Sequence, residues 1–412
     1  MPEGEEDILR QVRIVVQWSS EQEGVYPLDI ERPDVVETIL KTVPADHPQR
    51  YCGFRFHVPV HIARFRLLLV IGEQRWLLKE IDVTPVDKAA STSLKVLKGK
   101  QGWLFLDNDT NASVDQFRGR LRLTDKGLDE WRYYLRGVDQ LAKQQGIPWK
   151  MLIAPSKESV MGNAYHPYEA SDGPMSQLLE LAEAESILHP ATALKKLGDQ
   201  AFIPTDTHWA QRGAMVASTV LARNLGLDVR RYRQVMSKDR YVKRNMGGDL
   251  GNKLSPRQTS RVDILRSFKY QPYRRYDNGL PNFGRIIALE YPDAIEQGTA
   301  LIFGSSSSYS MFNYLCRLFK RVIFIHSAGN LDPDVISATQ PDYLIIQTNG
   351  RFVVQVPSLD QSLAETIRDK VSRLNDDEKA LVSERFIPAE STYLREIGLE
   401  RWDDYARKML RC

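Results

Sequence analysis

Between Val12 and Val83 the chain runs in short stretches, "RIVVQWSS", "YCGFRFHVPV", "RFRLLLVIG" and "RWLLKEIDV". Each is rich in β-branched and aromatic residues and is bounded by Pro, Gly or Asp. Runs of this length and composition predict strands, and strands that follow one another without a helix predict a small all-β, sandwich-like module. The polar segment "TPVDKAASTS" then leads into a different pattern. In "TDKGLDEWRYYLRGVDQLAKQQGIPW", Leu128, Trp131, Leu135, Val138 and Leu141 recur at helical spacing, and Gly146 stands where a C-cap is expected.

From there strand and helix alternate. A buried strand in "KMLIAPSKESV" is followed by a helix, "PMSQLLELAEAESIL", a short strand, "QAFIP", and a helix, "QRGAMVASTVLARNLG". The order lapses between about 227 and 292 into Arg- and Tyr-rich sequence. It resumes with strand "ALIFG", helix "MFNYLCRLF", strand "RVIFIHS", a helix near "DPDVISAT" and strand "DYLIIQT". Such alternation predicts an α/β domain, a parallel sheet covered by helices on both faces. Two charged, helix-like segments follow Pro357. The expected division is therefore 1–93 for the β module, 94–358 for the α/β domain and 359–412 for a helical extension.

Composition narrows the possible partners. The 412 residues are 42% hydrophobic, enough for a large core, and acids and bases nearly cancel to a net charge of +3. Binding to a phosphate backbone needs a basic excess that is missing, so nucleic acid is not an expected partner. Cys52, Cys316 and Cys412 are widely separated, which disfavours disulfides and structural zinc. His57 and His61 in "HVPVH" would sit roughly 13 Å apart along a strand, too far to share one ion, so neither a metal nor another cofactor is expected. No apolar stretch approaches the roughly twenty residues of a membrane span. The acidic amino terminus lacks the pattern of a secretory signal. The sequence as it stands is expected in the cytoplasm, or in the periplasm or outside the cell where an export signal has been removed.

Chemistry in α/β sheets gathers at the carboxyl ends of strands. One such loop reads "PTDTHWAQRGA", where Asp206 and His208 are close enough for one carboxylate to orient one imidazole; helix capping is the alternative role. Another is "LIFGSSSSYSMFNYL", beginning at Leu301. Apolar flanks make its four serines a strand, tight turn and helix instead of a flexible joint. A serine there would have its own amide and the next one free, and with the helix dipole these stabilise a tetrahedral oxyanion. The residues alone leave open which of the four is the nucleophile. Lys157, at the end of another strand, is a candidate to face a substrate, with idle surface exposure as the alternative. The Arg- and Tyr-rich stretch suits a sugar-binding surface, or else is a solvated insertion.

Taken in order, "GWLFL", "APSKESV", "DTHWAQRGA", "GGDLGNKL" and "LIFGSSSSYS" resemble the alginate O-acetyltransferase family of the SGNH-hydrolase superfamily, over about Leu97 to Pro357. That family reverses the usual esterase order, with Asp-x-His first and the serine last, as here. The resemblance implies Ser306 as nucleophile, in Gly304-Ser305-Ser306, with Ser305 where Asp or Thr is commoner and Ser307 or Ser308 as alternatives. It implies His208 as general base and Asp206 as its orienter. It also implies a further oxyanion donor from a neighbouring loop, for which Asn349 is the candidate, a turn role being the alternative. The implied activity is transfer of an acetyl group from a donor to a glycan or polysaccharide through acetyl-Ser306. Alternatives are a glycan O-acetyl esterase, or a non-catalytic glycan-binding protein on the same fold.

Overall fold

The computed structural model describes residues 12–32, 51–56, 58, 62–83 and 95–410. His57, His61, Cys412 and the polar segment 84–93 lie outside the described residues. Cα packing groups the chain into two compact units, one drawn from 1–97, 106–130 and 168–180, the other from 98–105, 131–167 and 181–412.

The first unit is built on strands β1 (Val12–Gln17), β2 (Gln22–Pro27), β3 (Arg64–Ile71), β4 (Gln74–Asp82) and β5 (Leu121–Leu123). They form one antiparallel sheet in the order β4-β3-β1-β2-β5. Ile14, Val15, Val16, Trp18, Tyr26, Phe65 and Val70 are buried in this unit, and the Trp18 and Phe65 rings lie 5.4 Å apart. The last strand comes from well beyond the polar segment: Gly24 pairs with Leu121 and Gln22 with Leu123.

In the second unit a seven-stranded sheet carries the order β7-β6-β14-β12-β13-β11-β10. These strands are β6 (Trp149–Ala154), β7 (Ile187–Leu188), β10 (Arg274–Asp277), β11 (Ile286–Glu290), β12 (Glu296–Gly304), β13 (Phe319–His326) and β14 (Tyr343–Asn349). The first five in that order are parallel, and each carries a buried apolar run, as strands covered on both faces must. β11 and β10 are antiparallel additions. They come from the Arg- and Tyr-rich region, so that region is not a solvated insertion: Tyr232 and Tyr276 are fully buried, and Arg274 and Arg285 each pair at 2.8 Å with buried Asp277. A hairpin of β8 (Tyr241–Met246) and β9 (Ser260–Leu265) completes it.

Helix α1 (Asp125–Gln145) ends at Gly146, whose φ of +66° is the left-handed cap its position predicts. Further helices include α2 (Lys157–Tyr165), α3 (Gln211–Asn224), α4 (Val229–Met236), α5 (Ser308–Leu318), α6 (Pro333–Thr339) and the charged set α7 (Leu363–Ser372), α8 (Asp376–Arg385), α9 (Ser391–Glu396) and α10 (Glu400–Leu410). Two expectations are corrected. "QAFIP" is not a sheet strand; Phe202 makes a single antiparallel bridge to Trp209, and the strand beside β6 is Ile187–Leu188. The preceding helix covers only Pro174–Leu179, because a 3-10 turn and β7 follow it. The carboxyl-terminal helices join the same unit: Ile367, Leu399 and Trp402 are buried, and Ile387 bridges Asp277.

Candidate active site

The loop 203–210 is a closed turn. Its ends are held by the Phe202–Trp209 bridge and the Ala210 N–H on the Ala201 carbonyl at 2.9 Å, just before α3 begins at Gln211. Within it Asp206 accepts from the His208 amide at 2.9 Å, which bends the chain so that the imidazole returns to the carboxylate. His208 Nδ1 then meets Asp206 Oδ1 at 2.7 Å, and its Nε2 meets Ser306 Oγ at 2.9 Å. Burial by itself would push the Asp206 carboxyl up. Hydrogen bonds from the His208 ring and from the amides of His208 and Asp249 outweigh it and hold the group at about 2. A stably ionised carboxylate on Nδ1 favours the tautomer that leaves Nε2 free to accept a proton.

Ser306 sits in the turn between β12 and α5. Ser305, Ser307 and Ser308 are buried and Ser306 is half-buried, so the backbone turns one hydroxyl of the four outward. The others bind β14: Ser305 Oγ and Ser308 Oγ donate to Gln347 Oε1 at 2.8 Å each, and Ser307 Oγ donates to Asn349 Oδ1 at 2.7 Å. The Ser306 and Ser307 amides bond no described residue, as expected at a helix entrance. Trp209 fastens this turn to the histidine loop, its Nε1 donating to the Ser307 carbonyl at 3.1 Å and Ser310 Oγ at 2.7 Å.

The three residues open on a cleft of about 290 Å³, walled by Met246, Val262 and Ile264 of the hairpin and by Tyr309. The Tyr309 hydroxyl lies 3.0 Å from His326 Nδ1. Burial, then Arg285 and Lys370, hold that imidazole down at about 4, so at neutral pH the ring that pairs with the tyrosine is uncharged.

Lys157 does not face this cleft, contrary to the expectation from its strand-end position. It is 2% exposed, because it opens α2 directly after buried β6 and its ammonium tucks under Phe105 and Trp103, 5.2 and 5.8 Å from their ring centres. There it donates to the carbonyls of Asp206, Pro204 and Ile203 at 2.7, 3.1 and 3.3 Å, supporting the loop from below. Asn349 is likewise buried, and its Oδ1 supports the serine turn. With Ser307 it borders a space of about 10 Å³, room for a single water.

Trp209, Gln347 and Asp249 were not singled out from sequence. The first and last lie inside "DTHW" and "GGDLGNKL", whose spacing drew attention without assigning them roles. Gln347, a polar residue in an apolar strand, carried no signal. Donor atoms of Asp206, His208 and Asp249 lie within 4.8 Å of one another, a spacing that would suit a cation. Asp206 and His208 are bonded to each other, however, and both Asp249 oxygens accept from Thr207.

Residues 96–280 match the family model described as the SGNH hydrolase-like domain of acetyltransferase AlgX. That span includes Asp206 and His208 and stops before Ser306. A probable alginate O-acetylase AlgJ of Pseudomonas fluorescens is 29% identical over 143 residues, 32% of this chain and 33% of that protein. The match thus spans about a third of that relative's length. Among solved structures, the O-acetyltransferase domain of Pseudomonas putida AlgJ aligns at 18% identity over 71% of this chain and 100% of its own, with a TM-score of 0.38. Bacillus cereus PatB1 aligns at 11% identity over 66% of this chain and 99% of its own, with a TM-score of 0.46. Over residues 96–280, somewhat under half of its length, the chain is therefore similar to the SGNH hydrolase-like domain of acetyltransferase AlgX.

Proposed function

We propose that this chain is a serine O-acetyltransferase that moves an acetyl group to a polysaccharide hydroxyl through an acetyl-Ser306 intermediate. The observation that carries the reading is the continuous hydrogen-bond chain from Asp206 through His208 to a half-buried serine at a helix entrance. Ser306 Oγ attacks the acetyl carbonyl of the donor while His208 Nε2 takes the hydroxyl proton, and Asp206 stabilises the imidazolium that results. The amides of Ser306 and Ser307, at the positive end of α5, receive the oxyanion. Collapse expels the donor's leaving group, which takes the proton from His208. An acceptor hydroxyl then gives its proton to His208 and attacks acetyl-Ser306, and as the ester departs His208 returns that proton to Ser306 Oγ, restoring the serine and the neutral imidazole.

The acceptor is assigned from kinship: the relative from Pseudomonas fluorescens is named for alginate O-acetylation. An esterase would use the same residues with water as the second nucleophile, so the acceptor must be tested separately. Release of p-nitrophenol from p-nitrophenyl acetate is expected from the parent and lost, by several orders of magnitude, in Ser306→Ala. Equal rates would remove the enzymatic reading. Adding polysaccharide is expected to divert acetyl from free acetate to polymer-bound ester; acetate release unchanged by any polymer would leave the esterase.

A further inference from the structure

Gly247-Gly248-Asp249 closes against the Asp206 loop. Gly248 has φ +65°, and a Cβ on it would lie 2.4 Å from the Thr205 carbonyl and 2.7 Å from Asp206 Oδ2. That approach lets the Asp249 amide donate to Asp206 Oδ2 at 3.0 Å, the oxygen that His208 does not use. The Asp249 carboxylate returns to the same loop. Its Oδ1 accepts from the Thr207 amide at 2.7 Å and its Oδ2 from Thr207 Oγ1. Two consecutive amides, Thr207 and His208, are thereby each held by a different carboxylate.

Asp249 Oδ2 also stands 3.8 Å from His208 Nδ1, about one ångström beyond the distance at which Asp206 bonds the same atom. We propose that Asp249 is a positioning residue of the site, a second carboxylate that clamps the histidine loop and shares the orientation and charge support of the His208 ring. This rests on the reading of Asp206, His208 and Ser306 as the reacting set. With Asp206 intact, Asp249 acts through Thr207. When Asp206 cannot accept, a shift of about one ångström brings Oδ2 onto Nδ1–H, and the Thr207 hydroxyl, which bonds Oδ2 and lies 3.4 Å from Nδ1, links the two groups.

The test is a double-mutant cycle on p-nitrophenyl acetate hydrolysis with Asp206→Asn, Asp249→Asn and both together, Ser306→Ala serving as the zero. Asp249→Asn is expected to lower kcat about tenfold with KM little changed. Asp206→Asn is expected to cost about a hundredfold, less than the roughly ten-thousandfold known for a triad with no second carboxylate. The double variant should fall to the Ser306→Ala level, beyond the product of the single losses. The acid limb of kcat/KM should move to lower pH in either single variant and furthest in the double, since each carboxylate stabilises the imidazolium. Asp249→Glu, which keeps the charge, should hold that limb in place, and it replaces the Asn variant if the latter fails to fold. Losses that only multiply, with an acid limb that Asp249 substitutions do not move, would overturn the proposal while leaving the triad standing. Full activity in Ser306→Ala would overturn both.

Discussion

Three of the four consecutive serine hydroxyls are committed to β14, and the fourth is committed to an imidazole. Substitution should separate them by the property it changes. Ser307→Ala and Ser308→Ala each delete a buried hydrogen bond and are expected to lower unfolding free energy by about 1 kcal/mol, with turnover within a few-fold of the parent. Ser306→Ala should leave stability nearly untouched and abolish turnover; a serine-reactive phosphonate should label Ser306 alone. Lys157 allows a prediction of opposite kind. Burial drives its pKa from 10.5 down to about 7, against the pull of Glu158, Asp206 and Asp249. Between those two values the unfolded chain holds a proton that the folded one lacks, so stability rises with pH, by at most about 1.4 kcal/mol per unit. Below pH 7 both states are protonated and the full desolvation penalty remains. The parent is therefore expected to gain on Lys157→Met between pH 7 and pH 9 in urea unfolding, whereas a pH-independent difference would show that Lys157 keeps an ordinary pKa.

At the scale of elements, the site depends on one loop and one turn being fixed to each other, and Trp209 is the fastener. Trp209→Phe preserves most of the packing but leaves the Ser307 carbonyl and Ser310 hydroxyl without its donor, a loss of about 1–3 kcal/mol. Because the nucleophile turn loosens, kcat should fall while KM stays close to the parent value; steady-state kinetics on a small ester checks this, and a pure KM effect would contradict it. The elements that position the catalytic candidates were legible for a physical reason. β6, β12, β13 and β14 are apolar runs covered on both faces, and α1 carries an unbroken helical stripe capped by Gly146. β7 and β11 were not legible. β7 is two residues long at the end of a helix-like stretch, and β11's four buried residues sit in polar, Arg-rich surroundings where burial comes from tertiary packing. Lys157 was misjudged for a related reason: nothing in "PSKESV" signals that three carbonyls from a loop some fifty residues later will surround its ammonium.

For the molecule as a whole, the chain's path constrains where it can be cut. A boundary at 93 parts Gly24 and Gln22 from their ladder partners Leu121 and Leu123, which belong to the same compact unit. A fragment beginning at residue 94 keeps β5 but loses β1 to β4, leaving an unpaired strand edge and two leucines that are each 3% exposed in the full chain. Re-exposing them costs up to about 3–6 kcal/mol, an upper bound because the unfolded reference is itself partly collapsed. Such an edge is also a template for pairing with other chains. The expected result is a fragment that aggregates when produced alone and is recovered in soluble form when residues 1–93 are supplied as a separate polypeptide, since that segment restores the ladder without a covalent link. Size-exclusion chromatography of the two preparations decides it: a soluble monomeric fragment 94–412 would mean that Leu121–Leu123 needs no strand beside it.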